Sequence, residues 1–124
     1  MTGNEYQKLA MRTCNFDLDS EWSLQRDSEK CDAVHHGVFG LCAEAGEVAG
    51  IYQKAYQGHP CEVDHLIKEL GDCLWMIAEI CSAYGIEFDD VMETNIEKLK
   101  KRYPDGFFFD KKMEFYKASA SVLR

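Results

Sequence analysis

Two acidic motifs, each set inside an apolar pattern of helical period, constrain this chain most. Gly40-Leu41-Cys42-Ala43-Glu44-Ala45-Gly46-Glu47 comes first, and Lys68-Glu69-Leu70-Gly71-Asp72 answers it later in the chain. If both segments are helical, Glu44 and Glu47 stand one turn apart on one face, and Glu69 and Asp72 do the same on the second helix. Plotted at about 100° per residue, Glu44 falls in the middle of the stripe Leu41, Val48, Ile51 and Ala55. Glu69 falls at the edge of the stripe Leu66, Leu70, Cys73, Ile77, Ile80, Cys81 and Tyr84, with Asp72 and Met76 just beyond it. These acids are expected to point to the interior or rim of a helical bundle.

Such crowding has a cost. Two carboxylates roughly 5 Å apart, at an effective dielectric near 20, repel by about 3 kcal/mol. A domain whose whole stability is on the order of 5–15 kcal/mol cannot carry several such pairs unrelieved. Either protons or cations must neutralise the cluster. All-oxygen ligands, with no Cys or His at matching positions, favour a hard divalent ion, Mg²⁺ or Mn²⁺, over zinc or copper.

At 124 residues the chain reads as one domain, 1–124, near the size where a partner subunit helps. The net charge of −8 and the lack of any strongly basic stretch argue against a nucleic-acid polymer as partner. A small anion can still bind through metal ions. The six cysteines form no Cys-x-x-Cys pair and read as buried thiols in a reducing cytosol. The start Met1-Thr2-Gly3-Asn4 has no signal-like region, and no run approaches 18 apolar residues. The expectation is a cytoplasmic protein without a membrane partner.

In chain order, Thr2 or Asn4 can cap a first helix over about 4–14, with Tyr6, Leu9, Ala10 and Thr13 on one side. The polar stretch 15–30 carries Trp22 and reads as a connector covering the bundle end, or as a flap over a ligand's ring. A second helix, about 28–57, is capped near Asp27 or Ser28 and stopped by Gly58-His59-Pro60. Small residues between Ala43 and Gly50 let another backbone approach. Lys54 lies two turns past Glu47 on nearly the same face, about 10 Å along the axis, close to the reach from a metal-bound phosphate to the end of a triphosphate. His36 shares that face, as a packing residue or as a substrate contact.

The third helix covers about 62–84, and Trp75 opposite its stripe suggests a second subunit or a ligand pocket. On a fourth helix, about 89–102, Val91, Asn95, Lys98 and Arg102 share one side beside Phe88 and Leu99, so Asn95 is expected half-buried. Pro104-Asp105-Gly106 turns the chain into an aromatic tail, 104–124, whose Phe107, Phe108, Phe109, Phe115 and Tyr116 would pack back on the bundle or across a subunit boundary. The fold class is all-α, a four-helix bundle.

Residues 40–48, Gln57-Gly58-His59, Glu69-Leu70-Gly71-Asp72-Cys73-Leu74-Trp75, Asn95-Ile96-Glu97-Lys98-Leu99 and Arg102-Tyr103-Pro104 together resemble the MazG-like nucleotide pyrophosphohydrolases. The opening Asn4-Glu5-Tyr6-Gln7-Lys8-Leu9-Ala10 is similar to many members as well. The resemblance implies the all-α NTP pyrophosphatase fold, completed by assembly as a homodimer or homotetramer. It also implies Mg²⁺-dependent cleavage of nucleoside triphosphates to monophosphate and pyrophosphate. Carried over by position, Glu44, Glu47, Glu69 and Asp72 would be metal ligands, and Lys54, Asn95, Lys98 and Arg102 would meet the phosphates. Glu47 is the preferred general base. Some relatives carry a further acid where this chain has Ala43. Housecleaning of abnormal nucleotides, dUTP or dCTP hydrolysis and a signalling nucleotide fit equally. Two other classes compete: a carboxylate-bridged di-iron bundle, which expects Glu-x-x-His pairs that this chain lacks, and a non-catalytic helical interaction or regulatory module.

Overall fold

In the computed structural model the described residues are 1–19 and 29–106. They form α1 (Gly3–Ala10), a 3₁₀ turn at Met11–Thr13, α2 (Glu29–Tyr56), α3 (Val63–Ala83) and α4 (Phe88–Arg102), with no strand. The class is all-α, and the three longer helices start and stop within two positions of the expected ends. α1 is shorter than expected, because its last turn tightens into the 3₁₀ form. The cap proposed at Asp27 or Ser28, the Trp22 stretch and the aromatic residues from Phe107 onward lie outside the described residues. Residues 1–90 make one compact unit, and a second begins at Val91.

Both long helices end in Schellman turns. At the end of α2, the Gly58 N–H donates to the Ala55 carbonyl at 3.0 Å and the His59 N–H donates to the Lys54 carbonyl at 3.0 Å. Gly58 takes φ +99°, where side chains with a Cβ are strained. The Gly85 and Ile86 N–H groups close α3 in the same way on Ser82 and Cys81. Between these turns α2 and α3 run antiparallel, and their closest approach is set by Gly37 and Gly40. A Cβ on Gly37 would come within 2.7 Å of Ile80 Cγ1, and one on Gly40 would collide with Met76. The approach does not fall at the small residues 43–50 as expected, since a Cβ on Gly46 or Gly50 would meet nothing within 4 Å.

The face of α3 turned to α2 carries Met76, Glu79 and Ile80. That centre lies about a quarter turn from the expected stripe. Leu70, assigned to the stripe, is 46 % exposed. Met76 therefore belongs to the packed face, with exposed Asp72 at its rim, because the more apolar side of α3 is not the side that meets α2.

α1 covers another flank of α3. Tyr6 Oη donates to the Gly71 carbonyl at 3.4 Å, and Gln7 Nε2 donates to Ser82 Oγ at 3.0 Å. Trp75, expected to be exposed in a monomer, is half-buried there, its Nε1–H shared between the Ala10 carbonyl at 3.0 Å and Thr13 Oγ1 at 2.9 Å. Thr2 is the cap of α1, in a reciprocal box with Glu5. Asn4 serves α4 instead: its Oδ1 accepts from the Asp89 N–H at 2.9 Å, while Gln7 Oε1 accepts from the Phe88 N–H at 2.9 Å. Cys31 and Cys81 are buried, but Cys42 and Cys61 are exposed, against the expectation of buried thiols. Among the described residues no helix is long and apolar enough to cross a membrane.

Candidate metal centre

Glu44 projects from α2 and meets Glu69 and Asp72 from α3, with one carboxylate oxygen of each lying within 4.8 Å of the others. Antiparallel packing produces this: the register that puts Gly40 against Met76 puts Glu44 one turn further along, opposite Asp72 and Glu69, one and two turns before Met76. Glu44 and Glu69 are half-buried and Asp72 is exposed. The crowding has an electrostatic signature. Partial desolvation between the helices pushes the Glu44 carboxyl above the ordinary carboxylate range, and the charges of Asp72 and Glu69, a hydrogen bond with Glu69 and the charge of Glu47 push it the same way. Cys73, the residue after Asp72, has its thiol raised by burial and then by Glu44, Asp72 and Glu69.

Glu47 stands apart from this trio. It is exposed and lines a cavity of about 440 Å³ with Gly50, Ile51, Lys54, His59 and His65. Lys54, expected two turns away on the same face, shares that cavity. The Schellman turn at Gly58 brings His59 into it as well. His65 Nε2 bonds Glu69 Oε1 at 3.0 Å, one turn along α3, and so fixes one of the three clustered carboxylates from outside. Asn95, Lys98 and Arg102 lie on α4 in the second unit, all exposed. The half-buried amide expected at Asn95 is not found: the residue is exposed.

His36 is not a simple packing residue: its Nδ1 lies 2.5 Å from Oε1 of Glu79, which has 0 % exposure. Patterning singled out neither Glu79 nor His65. Glu79 carried the same sign as Glu44, an acid among Met76, Ile80 and Ala83 on one side of the helix. His65 had only its position four residues before Glu69, a weak signal on any helix.

The donor set, three carboxylates from two rigid helices, fits a hard divalent cation in kind and in charge. Fold and site together define an all-α protein with a carboxylate cluster between antiparallel helices. The MazG nucleotide pyrophosphohydrolase domain matches residues 29–107, and the chain belongs to that family. It is 33 % identical over 100 residues to the uncharacterized protein YvdC of Bacillus subtilis (strain 168), covering 68 % of this chain and 93 % of that protein. It is 27 % identical over 85 residues to the Gene 37 protein of Mycobacterium phage L5, covering 64 % of this chain and 75 % of that protein. No solved structure matches.

Proposed function

We propose that this chain is a Mg²⁺-dependent nucleoside triphosphate pyrophosphohydrolase that cleaves between the α- and β-phosphates, giving monophosphate and pyrophosphate. The observation that supports it best is the trio Glu44, Glu69 and Asp72 within 4.8 Å, beside a cavity that holds Glu47 and Lys54. Those three carboxylates would hold Mg²⁺, or Mn²⁺ in its place. When bound, such an ion neutralises charge on phosphoryl oxygens and lowers the pKa of water. Glu47 has a place in the metal shell by resemblance, but its position in the cavity suits a proton acceptor better. It takes the proton of a water attacking the α-phosphorus. The bond from that phosphorus to the α–β bridging oxygen breaks, and its electron pair leaves with pyrophosphate. Lys54 receives the tail of the triphosphate in the same cavity. Asn95, Lys98 and Arg102 are further phosphate contacts on the strength of the family pattern.

Assembly as a homodimer or homotetramer accords with Val63, Ile67, Leu70 and Leu74. These are spaced at i, i+4, i+7 and i+11 on the side of α3 away from α2, and all four are exposed. Housecleaning of the nucleotide pool in the cytoplasm is the role such an activity would serve.

The test is a panel of standard and modified nucleoside triphosphates, with products separated by chromatography. Monophosphate with pyrophosphate is the expected pair. Inorganic phosphate without pyrophosphate would move the cut to the γ end and end the proposal. Glu47→Gln at saturating Mg²⁺ is expected to slow pyrophosphate release by about 10²–10⁴-fold, the range for a lost general base.

A further inference from the structure

The cavity beside the carboxylate trio runs from Glu47 and His65 to the turn that closes α2. At its first end Glu47 adds its charge to the field on Glu44, and His65 Nε2 bonds Glu69 Oε1 at 3.0 Å, so this end opens on the candidate metal centre. At the second end Lys54 lies two turns beyond Glu47, about 10 Å along the axis. The Schellman turn then folds the chain back on that lysine. The His59 N–H donates to the Lys54 carbonyl at 3.0 Å, and Gly58 at φ +99° makes the reversal. The main chain thus fixes His59 and Lys54 as neighbours, and both line the cavity.

Neither side chain is engaged. Among the described residues Lys54 has no carboxylate at ion-pair distance, and neither ring nitrogen of His59 has a partner. His65, the other imidazole of the cavity, already commits Nε2 to Glu69. A ring with both nitrogens free carries at least one N–H in every protonation state and can turn it to a ligand, so no particular tautomer is required of His59. An ammonium and an imidazole N–H on one cavity wall match a group with several acceptor oxygens and negative charge, which is a terminal phosphate. Glu47 and Glu62 line the same cavity, two acids against the one lysine, so it does not favour a bare polyanion. A polyphosphate chain part-neutralised by a divalent ion at the carboxylate end is the species that fits both ends.

We propose that His59, set beside Lys54 by the Gly58 turn, binds the terminal phosphate of the substrate's tail, so that the pair holds the pyrophosphate portion in the cavity while the α-phosphorus lies at the carboxylates. This rests on the pyrophosphohydrolase reading above and deepens it by adding a phosphate contact. The experiment measures binding by calorimetry, first of Mg²⁺ alone and then of tripolyphosphate in Mg²⁺, to wild type and His59→Ala. The side chain is exposed, so the substitution removes nothing from the core. His59→Ala is expected to weaken tripolyphosphate about tenfold, the effect of one lost hydrogen bond, and to leave the Kd for Mg²⁺ alone unchanged. On the unmutated protein, nitrogen-15 NMR of labelled histidine is expected to show the His59 ring signals, identified by their loss in His59→Ala, shifting with tripolyphosphate in Mg²⁺ and staying in place with Mg²⁺ alone. Unchanged tripolyphosphate affinity in His59→Ala, equal weakening towards Mg²⁺ alone, or His59 signals that ignore tripolyphosphate overturns the assignment while cleavage itself stands. If the wild type cleaves no nucleotide, the pyrophosphohydrolase reading falls and takes this inference with it.

Discussion

Two groups of acids lie on the seam between α2 and α3, and the fold treats them oppositely. Glu79 is buried completely and supplied with partners by the chain itself, the imidazole of His36 and the thiol of Cys14. Glu44, Glu69 and Asp72 keep access to water and crowd one another's charge, with only His65 on Glu69 as a hydrogen-bonding side chain beside them among the described residues. One acid is satisfied within the chain, whereas the trio is left with an excess of negative charge. Burial alone therefore does not mark a functional carboxylate. The sign of the charge around it does.

This contrast can be broken by experiment. Glu69→Gln should leave the fold intact and lower pyrophosphate release by about a thousandfold, about 4 kcal/mol of activation energy. A small loss would mean that the trio does not act at the reaction. His36→Ala should do the reverse of a site mutation, lowering unfolding free energy by about 3 kcal/mol in urea titrations. That is the low end for orphaning a buried charge, because the vacated half-exposed space admits water. Mg²⁺ at a hundred times its dissociation constant should add about 2.7 kcal/mol to the wild type and much less to Glu69→Gln. No gain in thermal stability would return the trio to a solvated groove and favour the non-catalytic module.

The smallest effect concerns pH without metal. Because the folded Glu44 carboxyl sits above its ordinary range, its contribution favours the fold fully below the unfolded carboxyl value and is lost as pH rises through the folded one. In chelator, Tm should fall as pH climbs through the region just above the usual carboxylate range, and Mg²⁺ or Glu44→Gln should flatten that slope.

Much of this was legible in the residues. An acid centred in the stripe of Leu41, Val48 and Ile51 has few explanations, and the Gly58 and Gly85 stops fixed both ends of the α2–α3 hairpin. The rotation of α3 was harder. Periodicity reports which side is most apolar, and on α3 the run including Leu66, Leu70 and Ile77 outweighs the face that actually meets Gly37 and Gly40. Glu79 escapes for the same reason, since measured from that stripe it lies on the far side of the helix. The covering of Trp75 by α1, and the bond from His65 to Glu69, depend on docking that local pattern does not carry.

The first amides of α4 are sealed by Asn4 and Gln7, residues more than eighty positions earlier. A helix whose opening turn borrows its acceptors from so far away cannot be stabilised locally, and the loop that must close to bring them together carries an entropic cost that a neighbouring cap would avoid. The beginning of the chain is therefore a latch: loosening two amide side chains there frees peptide groups at Phe88 and Asp89 while leaving the α2–α3 hairpin, with its own turn, in place.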